Sequence, residues 1–154
     1  MKYARLPVAL TVVLFLGILT GGGCATKTDP TKEQGIQLLR DFLAALEAKD
    51  YDKAASLMYF APGDPPTPKG LAQLQGEMSM AGIEVLAAKG TWGKLEDVGG
   101  RVRNAGKHRK LPSDECYGIK SEGGKYQGGS AAFFWDGQRL KLLDCDDIST
   151  LSPL

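Results

Sequence analysis

One histidine, a short acidic cluster and three cysteines are the residues of this 154-residue chain whose types could do chemistry. Any Ser-His-Asp or Cys-His arrangement would have to use His108, because a nucleophile needs a base within hydrogen-bond reach. His108 lies inside Arg101-Val102-Arg103-Asn104-Ala105-Gly106-Lys107-His108-Arg109-Lys110, where surrounding cations favour a solvent-facing loop over a catalytic pocket. Asp144, Asp146 and Asp147 offer carboxylates to a hard cation such as calcium. They lack the regular ligand spacing of a calcium loop, so a solvated strand end is expected instead. A tetrahedral metal centre is not indicated, since the cysteines are widely spaced and there is no second histidine. Gly99-Gly100 and Gly123-Gly124 have neither the flanking elements nor the lysine spacing of a phosphate loop. No catalytic residue, metal or cofactor is read from these patterns.

The basic run is the charged feature with a claim to function. Arg101, Arg103, Lys107, Arg109 and Lys110 would suit an anionic partner: lipopolysaccharide, a phospholipid headgroup or an acidic protein. The competing reading is a solvated loop that balances acids elsewhere. Net charge gives no support for nucleic acid. Without Lys2 and Arg5, the 19 basic side chains fall to 17 against 18 acidic, a net charge of −1.

The elements that must hold these residues read as helices first and strands last. Thr31 and Gln34 match a capping box, and Ile36, Leu39, Phe42, Leu43 and Leu46 recur at helical spacing. Asp50 caps a second short helix through Met58, and four prolines between Ala61 and Pro68 exclude regular structure. Thr67-Pro68 restarts a helix carrying Leu71, Leu74, Met78 and Ala81, which is expected to run on to Gly90. Met58, Met78 and Met80 read as core filling. Thr91-Trp92 looks strand-like, but residues 91–112 as a whole yield no assignment. Trp135-Asp136-Gly137-Gln138 signals a hairpin, which would set Phe133 opposite Leu140 and Ala131 opposite Leu142. Glu122-Gly123-Gly124-Lys125 suggests an earlier hairpin after a strand from Cys116 to Ser121. The expectation is a three-stranded antiparallel meander with one face covered by helices. It puts Cys116 on the core side level with Ala131, and Cys145 on the other side. With one strand between them and strands about 4.8 Å apart, the pair exceeds the usual disulfide span of roughly 4.4–6.8 Å.

The first 24 residues carry an address. Lys2 and Arg5 precede an apolar run from Leu6 to Leu19, then Gly21-Gly22-Gly23-Cys24. This order resembles a bacterial lipoprotein signal. The resemblance implies cleavage before Cys24 and lipidation (palmitate-type acyl chains) of its sulfur. It divides the chain into a signal (residues 1–23), a lipidated cysteine and tether (24–30), and one domain (31–154). Gly21 stands where such signals usually carry leucine. Two alternatives stay open: an ordinary signal cut after Ala25, which would release a soluble domain, and an uncleaved anchor across Leu6 to Thr26. All three place the domain outside the cytoplasm. In a two-membrane bacterium, Ala25 after the cysteine implies the outer membrane.

Phe42-Leu43-Ala44-Ala45-Leu46-Glu47-Ala48-Lys49-Asp50-Tyr51-Asp52-Lys53-Ala54-Ala55 resembles the opening of nuclear transport factor 2-like domains. That resemblance implies a cone of helices packed into a curved sheet, often around a pocket. Enzymatic members commonly place an Asp/His pair there, and no histidine falls on an expected strand here. Together these readings describe an α+β, lipid-anchored envelope domain. It acts by binding an anionic ligand or another envelope protein; the alternative is a small-molecule-binding, hydrolytic or isomerising domain using a helix-sheet pocket.

Overall fold

The computed structural model describes residues 28–98, 100–122 and 128–152. Cys24, the signal segment, Tyr126 and Gly123-Gly124-Lys125 of the expected first hairpin turn lie outside the described residues.

Helix starts follow local side-chain chemistry. α1 (Lys32–Glu47) opens on the expected capping box. Thr31 Oγ1 accepts from Gln34 N at 3.3 Å, while Gln34 Oε1 accepts from Thr31 N at 2.8 Å. Lys49 turns the chain at φ +56°, and Asp50 caps α2 (Tyr51–Ser56) through Lys53 N. Thr67 likewise caps α3 (Pro68–Gly76). The single helix expected from Thr67 to Gly90 is instead two. Ser79 Oγ accepts from Gly82 N at 3.0 Å and starts α4 (Met80–Lys89) afresh. That restart buries Met78 but leaves Met80 44% exposed, so Met80 is not a core residue.

The sheet has four antiparallel strands in the order β1 (Thr91–Lys94), β2 (Cys116–Ser121), β3 (Gly129–Trp135) and β4 (Leu140–Asp146). The fold is α+β, with an edge strand added to the expected meander. Cross-strand register differs from expectation: Phe133 faces Leu142 and Ala131 faces Cys145. Two features shift it. The hairpin loop spans residues 136–139, because Asp136 Oδ1 accepts from both Gln138 N and Arg139 N while Gly137 takes φ +92°. A bulge then leaves Leu143 and Asp144 together opposite Ala132.

Helices cover both faces of this sheet. α1 and α4 pack on one face around Leu39, Phe42, Ile83, Leu86, Ile119, Phe133 and Leu142, all fully buried. The other face is covered by the stretch that the sequence left unassigned: α5 (Leu95–Val98), a 3-10 turn (Gly100–Asn104) and α6 (Ala105–His108). A second cluster forms there from Leu95, Val102, Ala105, Cys116, Ala132 and Leu143. The cysteine facings are therefore the reverse of those expected. Cys116 points to this second cluster and Cys145 to the main core, and both are free, buried thiols.

Candidate functional site

The basic run is not a loop. Val102 of the 3-10 turn and Ala105, three residues on at the start of α6, share a face and are buried together against the sheet. Gly106 completes the close approach of α6, since a Cβ there would lie 2.5 Å from Cys116 Sγ. The cations between these anchors are pushed outward, and they divide into two groups.

Arg101 and Arg109 are engaged within the protein. Arg101 Nη1 lies 2.9 Å from Asp147 Oδ2 and 3.6 Å from Asp146 Oδ2. Glu77 joins this corner by accepting from Asp147 N at 3.0 Å, and the Glu77, Asp146 and Asp147 carboxylates lie within 4.8 Å of one another. The acidic cluster is thus no freely solvated strand end. It is a half-buried corner with a guanidinium among its carboxylates, although the three acids are also ligands a hard cation could use. Burial, then the neighbouring Asp147, raises the Asp146 pKa. Asp144 is raised as well, chiefly by burial. Arg109 donates to Ala105 O at 3.0 Å and to the carbonyl of the bulged Leu143 at 2.8 Å. Both arginines were expected on an anion-binding surface. Their hydrogen-bond geometry makes them braces between the outer layer and β4.

Arg103, Lys107 and Lys110 form the second group. All three are exposed, and among the described residues none of their side chains has an ion-paired or hydrogen-bonded partner. They lie along a ridge between two clefts. Arg103 and Lys107 line one of about 480 Å³ with Glu96, Leu111, Ser113 and Cys116. His108, Arg109 and Lys110 line the other, about 530 Å³, opposite Tyr59, Phe60 and Pro65. His108 is exposed at the end of α6.

The thiol in the first cleft is a poor nucleophile. Burial, and then the charges of Glu115 and Asp114, push the Cys116 thiol up to about 11. Burial raises Cys145 further.

A polar cluster at the opposite edge of the sheet was missed in the sequence. Tyr117 is buried, and its phenol donates to Asp29 Oδ1 at 2.6 Å while accepting from Lys94 Nζ. Lys94 also donates to Asp114 O at 2.7 Å. Trp92 stacks on Tyr117 and donates from Nε1 to Pro30 O at 3.2 Å. Glu77 and Phe60 were missed too. Tyr117 stood on an expected strand, but neither its lysine partner nor its aspartate partner is near it in sequence.

Among the described residues no helix is long and apolar enough to cross a membrane. No family model, curated protein or solved structure matches the chain.

Proposed function

We propose that this chain is a lipid-anchored envelope domain that works by binding an anionic molecule, or the acidic face of an envelope protein, through Arg103, Lys107 and Lys110. The observation that carries the reading is the division of the basic run. Two arginines are used internally, and three exposed cations are left without partners on one ridge. The backbone that carries these cations is packed through Val102 and Ala105, so binding orders their side chains but not the segment itself, which favours recognition over a flexible basic tail. Clustered charge steers anions locally even when the whole domain is near neutral.

The anchor belongs to the same reading, with Cys24 as the lipidated residue and the outer membrane as the site in a two-membrane bacterium. The Tyr117–Asp29 and Trp92–Pro30 contacts fix where the chain enters the domain. Few residues then separate Cys24 from the folded part, and each spans at most about 3.6 Å. An intact mass of the chain taken from its host membrane tests the anchor: it should begin at Cys24 and carry acyl chains. An unmodified chain lacking Cys24, or one retaining the signal, would contradict it. The binding arm is tested by the combined Arg103→Gln, Lys107→Gln and Lys110→Gln variant, which should lose a co-purifying anionic ligand or partner.

A further inference from the structure

We infer that the ridge and Phe60 together form a face that docks on an anionic membrane surface, so that the domain lies against the lipid headgroups instead of hanging from its anchor. The inference rests on the lipid-anchor reading and names the partner of the cationic ridge.

Phe60 carries the argument. Among the described residues it is one of three large hydrophobic side chains that stay exposed, at 39%, and it lines the same cleft as His108 and Lys110. Its neighbours show that this exposure is built in. Leu142 N donates to Leu57 O, and Tyr59 N donates to Leu142 O, both at 2.9 Å, clipping the segment to the edge of β4. Met58 is buried in the main core, and the Tyr59 ring sits edge-on to Phe134 at 5.1 Å. The chain then turns, with Asp64 N donating to Ala61 O and Gly63 at φ +85°. Phe60 is therefore held outward between fixed neighbours.

An aromatic ring presented beside lysines suits the boundary between headgroups and acyl chains. The ring enters the apolar edge while the cations stay with the phosphates. Lys110, Lys107 and Arg103 continue the positive charge away from Phe60 along one segment. Asp64 and Glu96 line the two clefts, and Glu115 and Asp114 stand close enough to Cys116 at the first to act on its thiol. Cationic side chains near an anionic leaflet add attraction that falls off within a Debye length, so a domain held close by its tether is well placed to use them. A peptide partner would also fit the charge. Phe60 standing beside the cations on an open surface, in a chain read as already bound to lipid, favours the membrane.

The test uses the full lipidated chain carrying Phe60→Cys, labelled with an environment-sensitive fluorophore and reconstituted into vesicles. Cys116 and Cys145 are buried, and lipid would block Cys24, so the label goes to position 60. Vesicles are made of phosphatidylcholine alone, or of equal parts phosphatidylcholine and phosphatidylglycerol. Docking gives a blue-shifted emission on the anionic vesicles alone, which is lost when Arg103, Lys107 and Lys110 are replaced by glutamine. A label at Met80, slightly more exposed than Phe60 but on α4, should stay in water on both. Unchanged emission at position 60 on both vesicles, with the chain still floating with the lipid, would overturn docking and leave the anchor standing. A shift that appears only on adding a glutamate-rich peptide would overturn it and assign the ridge to a protein partner. A chain that does not float with either vesicle would contradict the anchor, and docking with it.

Discussion

The phenol of Tyr117 donates to Asp29 Oδ1 at 2.6 Å, joining two residues 88 apart in sequence and tying the start of the domain to its sheet. Lys94 donates to the same phenol and lies 3.9 Å from the same carboxylate, so the three side chains form one charge-assisted cluster. Burial, and then the hydrogen bond to Asp29, push the Tyr117 phenol above its usual range. It stays protonated and available as a donor at neutral pH.

Tyr117→Phe removes the donor and leaves Asp29 with one fewer partner. A loss of about 0.5–1.5 kcal/mol is expected in urea melts, because Asp29 is largely exposed and water takes the place of the lost donor. Amide exchange should rise around Thr28 to Thr31 before it rises elsewhere. Unchanged exchange there would show that the phenol does not hold the entry segment.

Arg109 and Lys110 are adjacent, and they should behave differently. Arg109→Gln strips two carbonyls, Ala105 O and Leu143 O, of a charged donor and should cost about 1–3 kcal/mol. Lys110→Gln changes an exposed side chain and should stay within about 0.5 kcal/mol of wild type. Equal costs in denaturant titrations would refute the division of the basic run into braces and free cations.

Asp144 links stability to pH. Burial raises its folded-state pKa above the ordinary value of 3.8, although the hydrogen bond from Cys145 N and the charge of Arg109 pull the other way. The folded state therefore binds this proton more tightly than the unfolded chain does. Stability should fall as pH rises from the unfolded pKa through the folded one. Asp144→Asn keeps an oxygen for Cys145 N and should raise the melting temperature at neutral pH more than near pH 4. An equal or smaller effect at neutral pH would sink the assignment.

The main core is testable through Phe133, which is fully buried between Trp92 and the α1 face. Phe133→Ala should cost about 3–5 kcal/mol, judged by the midpoint of denaturant unfolding.

Helix caps and strand identities were legible because their chemistry is local. Thr31 with Gln34, Asp50, and Thr67 with Pro68 start helices where the sequence says they should. Register was less legible. Asp136 folds its carboxylate back onto the hairpin loop, and the bulge at Leu143 brings Cys145 to the same side as Leu142, where strict alternation would oppose them. Residues 91–112 defied reading for a related reason. After the edge strand β1, residues 95–108 cover a second sheet face, so β2 and β3 are buried on both sides and lose the alternation that marks a half-exposed strand. Of the candidate site, the basic run was visible as composition. Its division was not, since Arg101 finds Asp147 and Arg109 finds Leu143 O only after the chain has folded.

The most direct measurement is native mass spectrometry of the full chain, released gently in detergent from its own envelope, for wild type and for the variant with Arg103, Lys107 and Lys110 changed to glutamine. The expected result is an acylated wild-type chain carrying an anionic molecule or an acidic partner, and a folded, acylated variant without it. An empty wild-type chain would contradict a discrete anionic ligand or partner, and a variant that keeps the same bound molecule would contradict its binding through the three cations.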